Sequence, residues 1–177
     1  IWCGARPSSS VPRQATRPAH GPRIETGRDD FDAGLVRGAR GLLVQPDATL
    51  DAVLDETFDM VALPGGLPGA EYLRDDDRVQ ALLARSAAAG AYTAAICAAP
   101  MALARAGLLD GRRATAYPGV LERLAPPGSQ RLDDAVVVDG KLVTSRGPGT
   151  AMDFALTLIA LLEGDAARTR VEAGLAR

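Results

Sequence analysis

Apolar positions in this chain fall into short runs, and stretches with a helical period separate them. Residues 41–44 (GLLV) read as a short strand, Pro46-Asp47 as a turn, and residues 49–54 as a short helix or an extended link. The run FDMVAL at 58–63 is almost continuously apolar, as expected of a parallel strand buried on both faces, and it ends in Pro64-Gly65-Gly66. Asp75, Asp76 and Asp77 open a helix with charges suited to its N-terminus. Val79, Leu82, Leu83 and Ala87 form its apolar face, and Gly90 fits the C′ position. A second apolar run, 91–96, leads into a helical pattern over 98–106 that Gly107 closes. Residues 114–117 predict another strand, and 135–138 with 142–145 flank Asp139-Gly140, a strong hairpin signal. The loop 146–150 follows. Thr150 and Asp153 have capping-box spacing at the start of a helix reaching about Glu163, with Phe154, Leu158, Leu161 and Leu162 toward the core. An amphipathic helix over 166–175 ends the chain. Strands alternating with helices predict a doubly wound α/β domain with a mostly parallel sheet over residues 35–177.

Residues 1–34 break this pattern. They hold Pro7, Pro12, Pro18 and Pro22 among scattered arginines, and large apolar residues without a period, so the expectation is coil or disorder outside the core. The start without Met and the abrupt change of composition are read as an aberrant or frameshifted beginning that joins the regular chain near Val36.

Composition narrows the function classes. The 177 residues suffice for one domain with a sizeable core, 47% hydrophobic and 24% charged residues are ordinary for a globular protein, and a net charge of −2 gives no sign of a nucleic-acid or membrane-surface partner. The N-terminus lacks the continuous apolar segment of a signal peptide, and no run has the length of a membrane span. Two cysteines, Cys3 and Cys97, offer neither a disulfide framework nor metal spacing, which favours a reducing, cytoplasmic setting without a metal cofactor. The single histidine, His20, lies in the Pro/Arg-rich start and argues against a His-based metal site or a Cys–His pair.

Candidate chemistry gathers where three strands end. Cys97 sits where the 91–96 strand meets the next helix, a position where a sharp turn lifts the side chain out of the sheet. Unpaired N–H groups at the helix start would favour a thiolate there. A buried structural cysteine is the alternative reading, since free cysteine is among the most buried residue types. Ligands of doubly wound sheets bind beyond the carboxyl ends of the strands. The turn Pro64-Gly65-Gly66, the elbow Ile96-Cys97-Ala98 and the loop Arg146-Gly147-Pro148 are all expected there.

The segments LPGGLPGAEYL (63–73), AAICAAPMAL (94–103) and TSRGPGTAMDFAL (144–156) resemble the ThiJ/PfpI superfamily, in the branch of the Parkinsonism-associated deglycase and its bacterial YajL-type relatives. The resemblance covers about residues 36–175. It implies a flavodoxin-like fold, a homodimer, and glyoxalase activity without glutathione, metal or other cofactor. It also implies deglycase activity on early glycation adducts and a redox-regulated chaperone role. By the same resemblance Cys97 is the nucleophilic, oxidation-sensitive cysteine. Gly65, Gly66 and the Ala98 N–H are the oxyanion donors. Tyr117, Arg146, Gly147 and Pro148 line the site, and Arg40 lies near the dimer interface. The family's N-terminal strand and the glutamate loop behind it have no counterpart in residues 1–34. Glu25 is the only glutamate before the matched region, and it stands in the wrong context to be carried over.

Two function classes follow from the resemblance. One is a cysteine-dependent enzyme acting on methylglyoxal or an early glycation adduct. The other is a non-enzymatic thiol sensor or chaperone, or an inactive family member, which the missing glutamate favours. A glutamine amidotransferase or a cysteine protease would need a histidine after the cysteine elbow, and none follows His20.

Overall fold

A computed structural model describes residues 2–4, 35–37 and 41–176. In chain order the elements are β1 (Trp2–Gly4), β2 (Val36–Arg37), β3 (Leu43–Val44), α1 (Leu50–Val53), β4 (Met60–Leu63), α2 (Gly69–Asp75), α3 (Asp77–Ala88) and β5 (Tyr92–Ile96). There follow α4 (Pro100–Arg105), β6 (Arg113–Ala114), α5 (Val120–Leu124), β7 (Gln130–Arg131), β8 (Val136–Asp139), β9 (Leu142–Ser145), α6 (Ala151–Glu163) and α7 (Asp165–Gly174). The main sheet has the order β1-β4-β5-β9-β8, with β4, β5 and β9 parallel and β1 and β8 antiparallel at its edges.

Both faces of the parallel strands are covered, and this accounts for the unbroken apolar run of β4. Val61 and Leu63 face a cluster with Leu73, Val79, Leu82, Leu83 and Leu103, drawn from α2, α3 and α4. Met60 and Ala62 face the opposite cluster, with Ala94, Val143, Phe154 and Leu158. The period-2 alternation of strands thus puts consecutive apolar residues into two different cores. α3 begins at an Asp76 cap whose carboxylate accepts from the Arg78 N–H at 2.8 Å, and it ends before Gly90 at φ +76.

Several expectations need correction. The strand expected at 41–44 is only Leu43–Val44. It pairs with Val36–Arg37 in a separate two-stranded ribbon, leaving Leu42 and Leu43 exposed. The strand expected at 114–117 is Arg113–Ala114, paired with Gln130–Arg131 in another ribbon. The hairpin turn is centred on Gly140-Lys141, because Asp139 still pairs with Leu142. Two helices, α2 and α5, are additional. They have 7 and 5 residues, too short for an apolar period to show. Thr150 precedes α6 without capping it through its side chain; its hydroxyl turns back to Gly147 and Ser145. Trp2–Gly4 runs antiparallel to β4, pairing Trp2 with Ala62 and Gly4 with Met60, where no strand was read from the sequence. The rest of the 1–34 segment, including Glu25, lies outside the described residues.

Candidate active site

The three parallel strands lie side by side, so the loops that follow them meet at one end of the sheet. β4 runs into Pro64-Gly65-Gly66, β5 into Cys97, and β9 into Arg146-Gly147-Pro148. Cys97 has φ +65, left-handed backbone that a side-chain-bearing residue adopts at a cost of about 1–3 kcal/mol. Two backbone hydrogen bonds hold it: the Cys97 N–H donates to the Ser145 carbonyl, and the Cys97 carbonyl accepts from the Tyr117 N–H, both at 2.9 Å. Beyond the elbow the chain tightens at once, with Ala99 N–H donating to Ile96 O and Met101 N–H to Ala98 O, each at 3.1 Å. α4 therefore starts at Pro100, two residues later than the sequence pattern suggested. The thiol is free and partly exposed.

The glycine turn supplies the opposite wall, and its two glycines have different reasons to be glycine. A Cβ placed on Gly65 would stand 2.5 Å from Cys97 Cβ, 2.8 Å from the Ile96 carbonyl oxygen and 3.3 Å from Cys97 Sγ. Gly66 has open space around it and φ +99. The backbone N–H groups of Gly65, Gly66 and Ala98 have no acceptor among the described residues.

On the third side, Gly147 lies against Tyr117: a Cβ on Gly147 would be 3.4 Å from the ring. Tyr117 is half-exposed, and Pro148 opens an exposed 3-10 turn. The Arg146 side chain is committed to Asp133, donating to its carboxylate at 2.8 Å and its carbonyl at 3.0 Å. Arg131 extends the chain of charges from Asp133 (3.8 Å) to Glu122 (2.5 Å), and Glu122 accepts from the Gly119 N–H at 3.0 Å. This network borders a crevice beside Tyr117 and ties the 117–119 loop to the 146–148 loop. Sequence reading placed Arg146 near the site and missed its partner Asp133, which lies thirteen residues away in an irregular segment with no motif. It also missed Ser145, whose carbonyl anchors the elbow. Arg40 lies outside the described residues.

The hydrogen bond from Arg146, followed by the charges of Arg131 and Arg146, holds the Asp133 carboxyl below its ordinary value. A depressed folded value contributes stability above the unfolded carboxylate range and loses it as pH falls through the folded value. The wild-type thermal midpoint should therefore exceed that of Asp133→Asn by a small, constant margin from neutral pH downward. The margin should close below about pH 4, and thermal melts of the two proteins across this range check it.

Among the described residues, no group of His, Cys, Asp and Glu could hold a metal ion, and no helix is long and apolar enough to cross a membrane.

The profile of the DJ-1/PfpI family matches residues 11–161, beginning inside the segment that the sequence pattern set apart. The chain is 41% identical over 130 residues to the Arabidopsis thaliana protein DJ-1 homolog A, covering 73% of this chain and 33% of the relative, so it spans about a third of that relative's length. It is 37% identical over 129 residues to a Caenorhabditis elegans protein named a glutathione-independent glyoxalase (73% of this chain, 68% of the relative). It is 35% identical over 133 residues to a Pyrococcus horikoshii protein named a deglycase (75% of this chain, 80% of the relative). The crystal structure of Drosophila melanogaster DJ-1beta superposes with a TM-score of 0.77 at 39% identity, over 81% of this chain and 77% of that one. That likeness carries the flavodoxin-like, parallel-dominated fold, and with the match over most of its length the chain belongs to the DJ-1/PfpI family.

Proposed function

We propose that this protein is a cysteine-dependent glyoxalase or deglycase acting on methylglyoxal or an early glycation adduct. The observation that carries the reading is Cys97 itself: a free, partly exposed thiol on a strained elbow at the carboxyl end of β5, with Gly65 leaving open the space against its Sγ. Backbone strain of this kind clusters at reactive positions, and the names of the worm and archaeal relatives point to reactive carbonyl chemistry. In the proposed step the Cys97 sulfur adds to the aldehyde carbon. A C–S bond forms, the carbonyl π electrons move to oxygen, and the N–H groups of Gly65, Gly66 and Ala98 face the developing oxyanion. The proton that leaves the thiol ends on that oxygen, so the adduct is a neutral hemithioacetal.

A second reading, a redox sensor or chaperone in which Cys97 oxidises to the sulfinate, is favoured by one observation. The Cys97 thiol is free and partly exposed, where an oxidant can reach it. Consumption of methylglyoxal by the full chain and by Cys97→Ser separates the two. The enzymatic reading expects turnover in the wild type and loss of all of it in the variant. Equal turnover in both, or none in the wild type, overturns it.

A further inference from the structure

The hydroxyl of Thr150 reaches two sides of the elbow that carries Cys97. It stands 2.7 Å from the Ser145 hydroxyl, accepts from the Gly147 N–H at 3.1 Å, and is 2.9 Å from the Gly147 carbonyl oxygen. Ser145 is fully buried, and its own hydroxyl also reaches the Ala135 carbonyl at 2.9 Å. Two hydroxyl protons serve three contacts here, so they have two self-consistent arrangements. In one, Thr150 donates to Ser145 and Ser145 to Ala135. In the other, Ser145 donates to Thr150 and Thr150 to Gly147. Each leaves one carbonyl without a hydroxyl donor, and a backbone donor already serves it: Arg146 N–H for Ala135 and Thr150 N–H for Gly147. The cluster is therefore satisfied in either arrangement, as a buried polar cluster must be to fix a geometry.

Both bonds that clamp the strained peptide units of Cys97 lead back to this hydroxyl. The Cys97 N–H is held by the backbone carbonyl of Ser145, a residue whose side-chain hydroxyl is hydrogen-bonded to Thr150. The Cys97 carbonyl is held by the N–H of Tyr117, whose ring packs on Gly147, and Thr150 holds both the N–H and the carbonyl of Gly147. We propose that Thr150 is a positioning residue for the Cys97 thiol, fixing through Ser145 and Gly147 the elbow geometry on which its reactivity depends. The proposal deepens the cysteine-centred reading above and rests on it for its functional meaning. The positioning itself is measurable without any aldehyde.

The test is the rate at which iodoacetamide alkylates Cys97 at neutral pH, in the 177-residue chain carrying Cys3→Ser so that one thiol reports. Thr150→Val keeps the shape and removes the hydroxyl, and it should slow alkylation about tenfold while a cooperative thermal transition remains. Thr150→Ser restores the hydroxyl and should recover most of the rate. Thr150→Ala, which removes the hydroxyl together with the γ-methyl, is carried in parallel should the valine disturb folding, and it should slow alkylation in the same direction. A rate within about twofold of the parent in a folded Thr150→Val or Thr150→Ala protein overturns the proposal, as does failure of Thr150→Ser to rescue. Absence of methylglyoxal turnover in the parent protein would count against the enzymatic reading alone and leave this comparison standing.

Discussion

Gly65→Ala should slow alkylation of Cys97 by about tenfold or more and destabilise the fold by about 1–3 kcal/mol, whereas Gly66→Ala should leave the rate within about twofold. The contrast follows from what each new methyl meets. At Gly65 it would lie 2.5 Å from Cys97 Cβ and 2.8 Å from the Ile96 carbonyl oxygen. Both atoms are fixed: one roots the strained side chain, and the other belongs to the last residue of β5 and already accepts the Ala99 N–H. No flexible side chain can yield, so either the glycine turn or the elbow must move. The methyl would also stand 3.3 Å from Sγ, filling space beside the thiol. At Gly66 nothing lies within 4 Å of the added atom, and the whole penalty comes from φ +99. Alkylation kinetics and chemical denaturation of the two variants, each in the Cys3→Ser background, decide it. A Gly65→Ala protein with parental reactivity would mean that the turn serves only the chain's path.

The sequence made legible which three loops meet at the candidate site and left their internal wiring hidden. The run at 58–63, the run at 91–96 and the hairpin ending at Ser145 are local patterns, and their strands, once parallel and adjacent, bring three loop motifs together without further information. Cys97 could be placed at an elbow because it stands where the apolar run at 91–96 gives way to the helical pattern over 98–106. The roles of Gly65 and Gly66 could not be separated, because a Gly-Gly pair signals a turn without saying which residue needs positive φ and which faces a neighbour. Thr150 shows a different limit. Its spacing to Asp153 fits a capping box, and the local rule lost to a tertiary partner, the buried Ser145 hydroxyl, which a helix-start pattern does not contain. Arg146 pairing with Asp133 and the helices α2 and α5 were hidden for related reasons, the first because it is non-local and the others because they are short. β1 escaped notice because Trp2–Gly4 has three residues, too few to show alternation.

Replacing Cys97 should invert an ordinary order of stabilities. In most strand and helix positions glycine is less stable than alanine by about 0.5–1 kcal/mol, because it gives up more backbone freedom on folding. At Cys97 the backbone has φ +65, where alanine retains the clash between its Cβ and the neighbouring peptide and glycine has none. Cys97→Ala and Cys97→Gly both remove the sulfur, which packs at the margin of the larger core cluster, so that loss cancels between them. What remains is strain relief of about 1–2 kcal/mol against the entropy term, and Cys97→Gly should be the more stable of the two by up to about 1 kcal/mol. Denaturant midpoints of the two variants measure the difference directly. Both should be devoid of methylglyoxal turnover. An alanine variant more stable than the glycine variant would show that the elbow relaxes once the sulfur is gone, and that the conformation is no property of the scaffold. If the glycine variant is the more stable, the bonds from Ser145 and Tyr117 impose the strained backbone whatever side chain occupies it. The fold then carries a standing cost at the one residue where a protruding thiol is useful, which is the relation between stability and activity expected of a reactive site.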